Sequence, residues 1–414
     1  MHLPPAAAQR IAPSRMGSPL SYNAAGGARV PVVVGSSMDS RCAWIDNVRT
    51  AAVVLVVNLH CCVTYSYVGG WYLNDGPERG LAEKLPYVLW EFHLQSFFMG
   101  ILFFLAGIFA DGAIRRRGPG SFMQERLVRL GLPALLYMVF IQPLIVFGLL
   151  SGSTSPGDPS WLTLYTRYLT TPWILGGSGP MWFALALFLF CAVLAAWRTF
   201  VPPAAIGVSR PAPSARNLLT FAFALALATA VMRVFFPMET SFYNFQLCFF
   251  AQYIAAFVAG VAAAKGGWVQ ELAAARRARI SGWLGLIGGP LVFLLLLFLG
   301  GTEHGAKPYF GGWNPQAFGM ALWEQFAGLG LALGMMACFQ RSFDREGPIA
   351  RWLSERSFGV YVLHPPILVT LTLLFRPIQI TPLLHIALLT ITGLGLSYVA
   401  ADLAKRIPGL RRIF

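Results

Sequence analysis

The stretch WIDNVRTAAVVLVVNLHCCVTYS, residues 44–66, decides how this chain is read. Most of it is apolar and long enough to cross a bilayer, whose hydrocarbon core takes about 20 helical residues. Yet it opens with Asp46 and Arg49 and holds His60 well inside the apolar run. Ionisable groups in hydrocarbon are costly and normally face a bundle interior or a water-filled path. Helical geometry places Arg49 and His60 within roughly 20° of one another on the helix surface and about 16 Å apart along its axis. Asp46 falls on nearly the same face. One side of the helix therefore has a charged pair at its mouth and an imidazole beyond the midplane. Spacing alone fits two readings equally: a functional face, or an interfacial Asp–Arg pair plus a histidine used only for packing.

Composition extends the membrane reading to the whole chain. Of 414 residues, 56% are hydrophobic and 12% charged, against about 25% charged in soluble domains. The expected fold is all-α, a polytopic bundle of about ten transmembrane helices. The spans fall near residues 43–67, 90–110, 130–150, 181–197, 218–236, 245–264, 281–299, 318–339, 358–374 and 383–401. The ninth is the least regular, because Pro365 and Pro366 interrupt it. With the N-terminus in the cytoplasm, 25 Lys and Arg fall inside and 6 outside, alternating at every crossing. That bias is the positive-inside pattern and puts both termini in the cytoplasm. The net charge of +14 comes from short basic clusters between apolar runs, so no nucleic-acid partner is expected. Residues 1–43, rich in Ala, Pro, Gly and Ser, read as a disordered cytoplasmic tail without a signal-peptide core. Residues 44–403 form the membrane domain and residues 404–414 a basic cytoplasmic tail. The six cysteines lie mostly in apolar runs without CxxC spacing, so neither a disulfide framework nor a metal site is expected.

Further polar residues recur along the chain. In LWEFHLQSFF, Glu91 reads as interfacial, while His93 enters at a depth similar to His60. Arg126 and Arg129 lie one turn apart at the basic end of the third span, fitting either positive-inside anchoring or an anion site. Trp182 follows the turn GGSGP. In ERSFGVYVLHPP, Ser357, Tyr361 and His364 share one helix face.

Taken in order, these features resemble the acyltransferase 3 family of integral-membrane acyltransferases. The resemblance rests on Asp46-x-x-Arg49 followed by His60, on Phe103-Phe104-Leu105-Ala106-Gly107 (with Ala106 in place of the usual Ser), and on Phe122 with Glu125-Arg126-x-x-Arg129 and Pro133. It also rests on Trp182-Phe183 and on Ser357-x-x-x-Tyr361-x-x-His364-Pro365. His93 and Gly131-Leu132-Pro133 are similar to the branch that succinylates periplasmic glucans. The resemblance implies a membrane O-acyltransferase that moves an acetyl, succinyl or similar group. The donor would be acyl-CoA on the cytoplasmic side, a co-substrate rather than a bound cofactor. The acceptor would be a hydroxyl of a glycan, lipid or small molecule on the outer side. Its residues would be His60, Asp46, Arg49 and His93 for catalysis, and Arg126, Arg129, Tyr361 and His364 for the donor, with no metal. His60 would act as general base or as transient acyl carrier. With the excess of Arg over Lys, the resemblance points to a multi-pass protein of the bacterial cytoplasmic (inner) membrane. Intramembrane His and Arg beside a proline-broken helix also fit a proton-coupled exporter of a small molecule or glycan precursor, although two related halves are not evident.

Overall fold

In the computed structural model, residues 42–150, 159–201, 210–303 and 305–412 are described. The tail expected at residues 1–43 lies outside them as far as Arg41. Among the described residues no strand forms, and one isolated bridge joins Phe242 to Phe245. Ten helices are long and apolar enough to cross a membrane. They are α1 (Ala43–Ser66), α2 (Ala82–Arg117), α3 (Pro119–Leu149), α4 (Gly179–Phe200), α5 (Ala215–Phe235), α6 (Leu247–Gly266), α7 (Arg276–Gly300), α8 (Pro315–Ser342), α9 (Pro348–Phe375) and α10 (Pro382–Arg406).

Several helices outrun the apolar stretches that announce them. α2, at 36 residues, is about 54 Å long at 1.5 Å per residue, well beyond a hydrocarbon core of about 30 Å. Its polar ends, including Arg115–Arg117, continue the helix outside the apolar slab, where hydropathy no longer reports it. α9 begins ten residues before its apolar run and continues unbroken through Pro365 and Pro366. A proline removes one backbone donor and frees the carbonyl four residues earlier, here that of Tyr361. His364 Nδ1 takes that carbonyl at 2.8 Å, so the helix keeps its course with the freed acceptor satisfied.

α3 is irregular. Around Pro133 and Pro143 it contains π-helical turns at Leu127–Gly131, Tyr137–Ile141 and Leu144–Leu149. In a regular helix, residues five apart diverge by about 140°. The wider i→i+5 turn brings Tyr137 and Gln142 to one partner, the hydroxyl of Tyr72, at 2.8 and 2.5 Å.

Glycines set the closest helix crossings, as small residues do where apolar burial cannot drive association in lipid. A Cβ on Gly107 would lie 2.2 Å from the Phe257 carbonyl, and one on Gly260 2.1 Å from that of Phe104, so α2 and α6 meet backbone to backbone. Gly282 and Gly334 do the same for α7 and α8. The core between helices is rich in aromatics such as Trp44, Phe98, Phe103, Phe122 and Tyr253.

A buried polar network crosses this core. Arg233 of α5, fully buried, pairs with Glu324 of α8 at 2.5 Å, and Gln325 donates to the same carboxylate. Gln252 of α6 joins Gln325 to the Ser96 carbonyl of α2. Arg233, one of the six Lys and Arg that the charge count puts on the outer side, is thus an interior ion-pair partner. A buried pair of this kind costs much to desolvate and more to break.

Candidate active site

α1 and α9 run side by side in the same direction, and their polar faces pair rung by rung. At the basic end, Arg49 Nη2 bonds Asp46 Oδ1 at 2.9 Å and Ser354 Oγ at 3.2 Å. Next to it, one residue on along α1 and three along α9, Thr50 and Ser357 hydroxyls meet at 3.1 Å. Deeper still, His60 and His364 stack with ring centroids 5.3 Å apart. The seam sits between two helices because each presents its hydrogen-bonding side chains at helical spacing toward the other.

The two imidazoles form a cluster with a third ring. α1 ends in a left-handed residue, Tyr67 (φ 61°), and the loop that follows turns back. It lays the Trp71 indole flat on His60, centroids 3.9 Å apart. Arg376 clasps the loop at Asp75 (2.9 Å), and Asp75 N–H donates to the Thr64 carbonyl.

The hydrogen bonds fix one tautomer. His364 Nδ1 faces the carbonyls of Tyr361 and Val360 at 2.8 and 3.2 Å. A carbonyl only accepts, so Nδ1 carries the proton and the neutral ring keeps a lone pair on Nε2. That Nε2 is buried without a partner, as is Nδ1 of His60. Buried polar atoms are almost always paired, and exceptions concentrate where a ligand or proton is handled. The remaining ring nitrogen, Nε2 of His60, is not among the buried atoms lacking a partner, and His60 itself is only half-buried.

The other expected residues are placed as follows. Tyr361 is buried, and its hydroxyl donates to the Pro180 carbonyl. It therefore ties the first turn of α4 to α9 rather than offering a free hydroxyl. Arg126 stacks on Phe122, 4.9 Å from the ring centre, with its Nε buried and unpartnered. Arg129 is exposed and pairs with Glu125 at 3.2 Å. The two arginines thus diverge, and Arg126 alone turns an unsatisfied donor inward.

His93 joins a different cluster. Its ring meets Trp323 and Phe293, with centroids 5.0 and 6.4 Å away, and its Nδ1 bonds the Leu89 carbonyl at 2.6 Å. Nε2 points at Gly289 of α7, where an added Cβ would come within 2.8 Å. The shared depth of His60 and His93 does not bring them together, because His93 lies on the face of α2 turned to α7 and α8. Glu91 departs from its interfacial reading too: it is 4% exposed and accepts from Ser66 Oγ at 2.7 Å.

Sequence reading passed over Trp71 and Tyr72, which close the site, and Ser354, which holds Arg49. The one available signal was the Gly69-Gly70 pair before two aromatics, a turn able to send the chain back across the helix end. His385 was also passed over, but both its nitrogens are satisfied, by Ile378 O and the Tyr65 hydroxyl, and it reads as structural.

No curated protein and no solved structure matches this chain. A family model described as an acyltransferase domain, that of the acyltransferase 3 family, matches residues 43–402. That interval takes in all ten helices but for the last turn of α10, together with the α1–α9 seam that holds His60 and His364. This multi-pass membrane protein therefore belongs to the acyltransferase 3 family, whose members are acyltransferases.

Proposed function

We propose that the chain moves an acyl group from a cytoplasmic acyl-CoA to a hydroxyl of an acceptor on the opposite side, with His60 as the base. The observation that carries this reading is the pair of buried, unpartnered imidazole nitrogens, His60 Nδ1 and His364 Nε2, stacked beneath Trp71.

The relay starts from a backbone carbonyl. Tyr361 O fixes the proton on His364 Nδ1. The lone pair on His364 Nε2, in the ring stacked on His60, then favours the His60 tautomer with its proton on the buried Nδ1. This leaves Nε2 of His60 as the lone pair that faces substrate. His60 takes the proton of the acceptor hydroxyl while its oxygen forms a bond to the thioester carbon. The C–S bond then breaks, and His60 returns the proton to the departing thiolate. Proton transfer of this kind contributes about 10²–10⁴-fold in rate. A transient acyl group on the same nitrogen is the other route His60 supports.

The donor's phosphates fit the basic end. Asp46 and Ser354 both hold Nη2 of Arg49, and Arg126 presents a buried, unpaired Nε. From Arg49 to His60 the path is about 16 Å, a length that the extended arm of coenzyme A can bridge. The basic clusters at this end favour the cytoplasmic side of a bacterial inner membrane. The likeness of His93 and Gly131-Leu132-Pro133 to glucan succinyltransferases makes succinyl-CoA the first donor to try.

The test is His60→Ala in membranes, with folded protein measured alongside. Transfer from acyl-CoA is expected to fall at least about 100-fold. Full retained activity at equal folded protein would sink the assignment.

A further inference from the structure

Opposite the basic end lies an open cavity of about 470 Å³. Its wall comes from four places: Gln142 of α3, Tyr168 of the short helix Trp161–Thr170, Trp173 just after it, and the turn Ser241–Tyr243–Asn244 between α5 and α6. None of the lining residues carries a charge at neutral pH. Trp173 and Tyr243 both line it and are about half exposed (54% and 44%). An Arg167 guanidinium sits over the Trp173 ring, 4.9 Å from its centre.

The amides between these rings have one free function each. Gln142 uses its Oε1 on the Tyr72 hydroxyl, which leaves its NH2 as a donor. Asn244 uses its NH2 on Ser178 Oγ and Gly179 O, at 2.8 and 2.7 Å, which leaves Oδ1 as an acceptor. One donor, one acceptor and two flat rings, without an ion, suit a ring of hydroxyls and C–H faces. An anionic headgroup or phosphate would need a cation in the wall, and the Arg167 guanidinium is held over the Trp173 ring rather than lining the cavity.

The backbone gives a second, separate sign. Phe242 and Phe245 exchange two 2.9 Å hydrogen bonds around a two-residue turn. Both central residues have positive φ, Tyr243 at 47° and Asn244 at 67°. Such turns favour Asn-Gly, and a bulky residue at the first position is strained. Tyrosine there serves its side chain rather than the turn, and strain of this kind gathers at ligand sites.

The cavity is wired to the imidazole cluster on two sides. Gln142 bonds Tyr72, whose neighbour Trp71 stacks on His60. Asn244 bonds Gly179, and the next carbonyl, Pro180 O, accepts from Tyr361.

We propose that this cavity is the acceptor subsite and binds an uncharged sugar chain, with Trp173 and Tyr243 as stacking faces and Gln142 and Asn244 as hydroxyl partners. The proposal rests on the acyl-transfer reading above for its role, though not for the binding itself. The experiment uses full-length protein in nanodiscs, titrated calorimetrically with maltopentaose, cellopentaose, laminaripentaose and chitopentaose, and with trigalacturonate as the charged control. At least one neutral oligosaccharide is expected to saturate the wild type and to bind about tenfold more weakly to Trp173→Ala. Trp173→Phe should restore most of that loss, and Tyr243→Ala should repeat it. Both aromatics are half exposed, so their loss leaves the fold intact, and thermal unfolding of each variant verifies this. The proposal is overturned if no neutral oligosaccharide saturates, if Trp173→Ala binds as the wild type does, or if trigalacturonate binds more tightly. Sugar binding without any transfer from acyl-CoA would instead sink the catalytic reading and leave the cavity assignment standing.

Discussion

Replacing His364 by Asn separates what this residue does for the fold from what it does for chemistry. The Asn amide nitrogen occupies the place of Nδ1 and can donate to Tyr361 O, which His364 Nδ1 now meets at 2.8 Å. Asn has nothing at the position of Nε2. Pro365 supplies no backbone donor, so in His364→Ala the buried Tyr361 carbonyl is left unsatisfied, at a cost of about 1–3 kcal/mol, before the lost ring contacts with Trp71 and His60 are counted. His364→Asn should avoid the carbonyl cost and melt within a few degrees of wild type. Its activity should nevertheless fall, because in the proposed relay His60 loses the neighbouring lone pair that favours its proton on Nδ1. A misplaced tautomer on a catalytic imidazole lowers turnover by about 10²–10⁴-fold, or about 2.7–5.4 kcal/mol of barrier. The assay measures acyl transfer from radiolabelled acyl-CoA in membranes, with kcat and KM for the donor determined separately, and melting by fluorescence-detected size exclusion. We expect kcat to fall and donor KM to hold. Wild-type kcat in His364→Asn would refute the relay. Melting as low as that of His364→Ala would refute the carbonyl argument.

Three other outcomes follow from the same geometry. Asp46 and Ser354 both take Nη2 of Arg49, which leaves its other guanidinium donors for a phosphate; Arg49→Lys keeps the charge but loses those donors, so donor KM should rise about tenfold or more in the transfer assay. An unchanged KM would remove Arg49 from the donor path. Glu324→Gln strands the buried Arg233 charge and should lower stability by about 3–5 kcal/mol, read as a loss of folded protein in detergent. Arg233→Met combined with Glu324→Leu should recover much of that loss, and a double variant no better than the single one would argue against the pair. Gly107→Val should prevent the α2–α6 approach, since even a Cβ would sit 2.2 Å from the Phe257 carbonyl, and a folded, active Gly107→Val protein would contradict that packing.

The number and kind of the helices were legible in the sequence, since hydrocarbon leaves a chain no other way to satisfy its backbone along twenty apolar residues. The shared face of Asp46, Arg49 and His60 was legible for a related reason, because the helical period alone fixes which side chains of one helix align. The stripe of Ser357, Tyr361 and His364 was read in the same way. Helix ends were less legible: hydropathy marks where the slab ends rather than where the hydrogen-bond ladder does, so α2 and α9 run further than their apolar cores.

Which faces meet was decided only by tertiary structure. Periodicity says nothing about a partner, so His93 matched His60 in depth and still turned toward Trp323 and Phe293. His60 found His364 instead, from a helix some three hundred residues later. Trp71 could not be placed either, because a loop's return path depends on clasps such as Arg376–Asp75, whose halves lie far apart in the chain. Pro365 shows both levels at once. In the sequence it reads as a break in the ninth helix; in the fold it frees the carbonyl that orders the neighbouring imidazole.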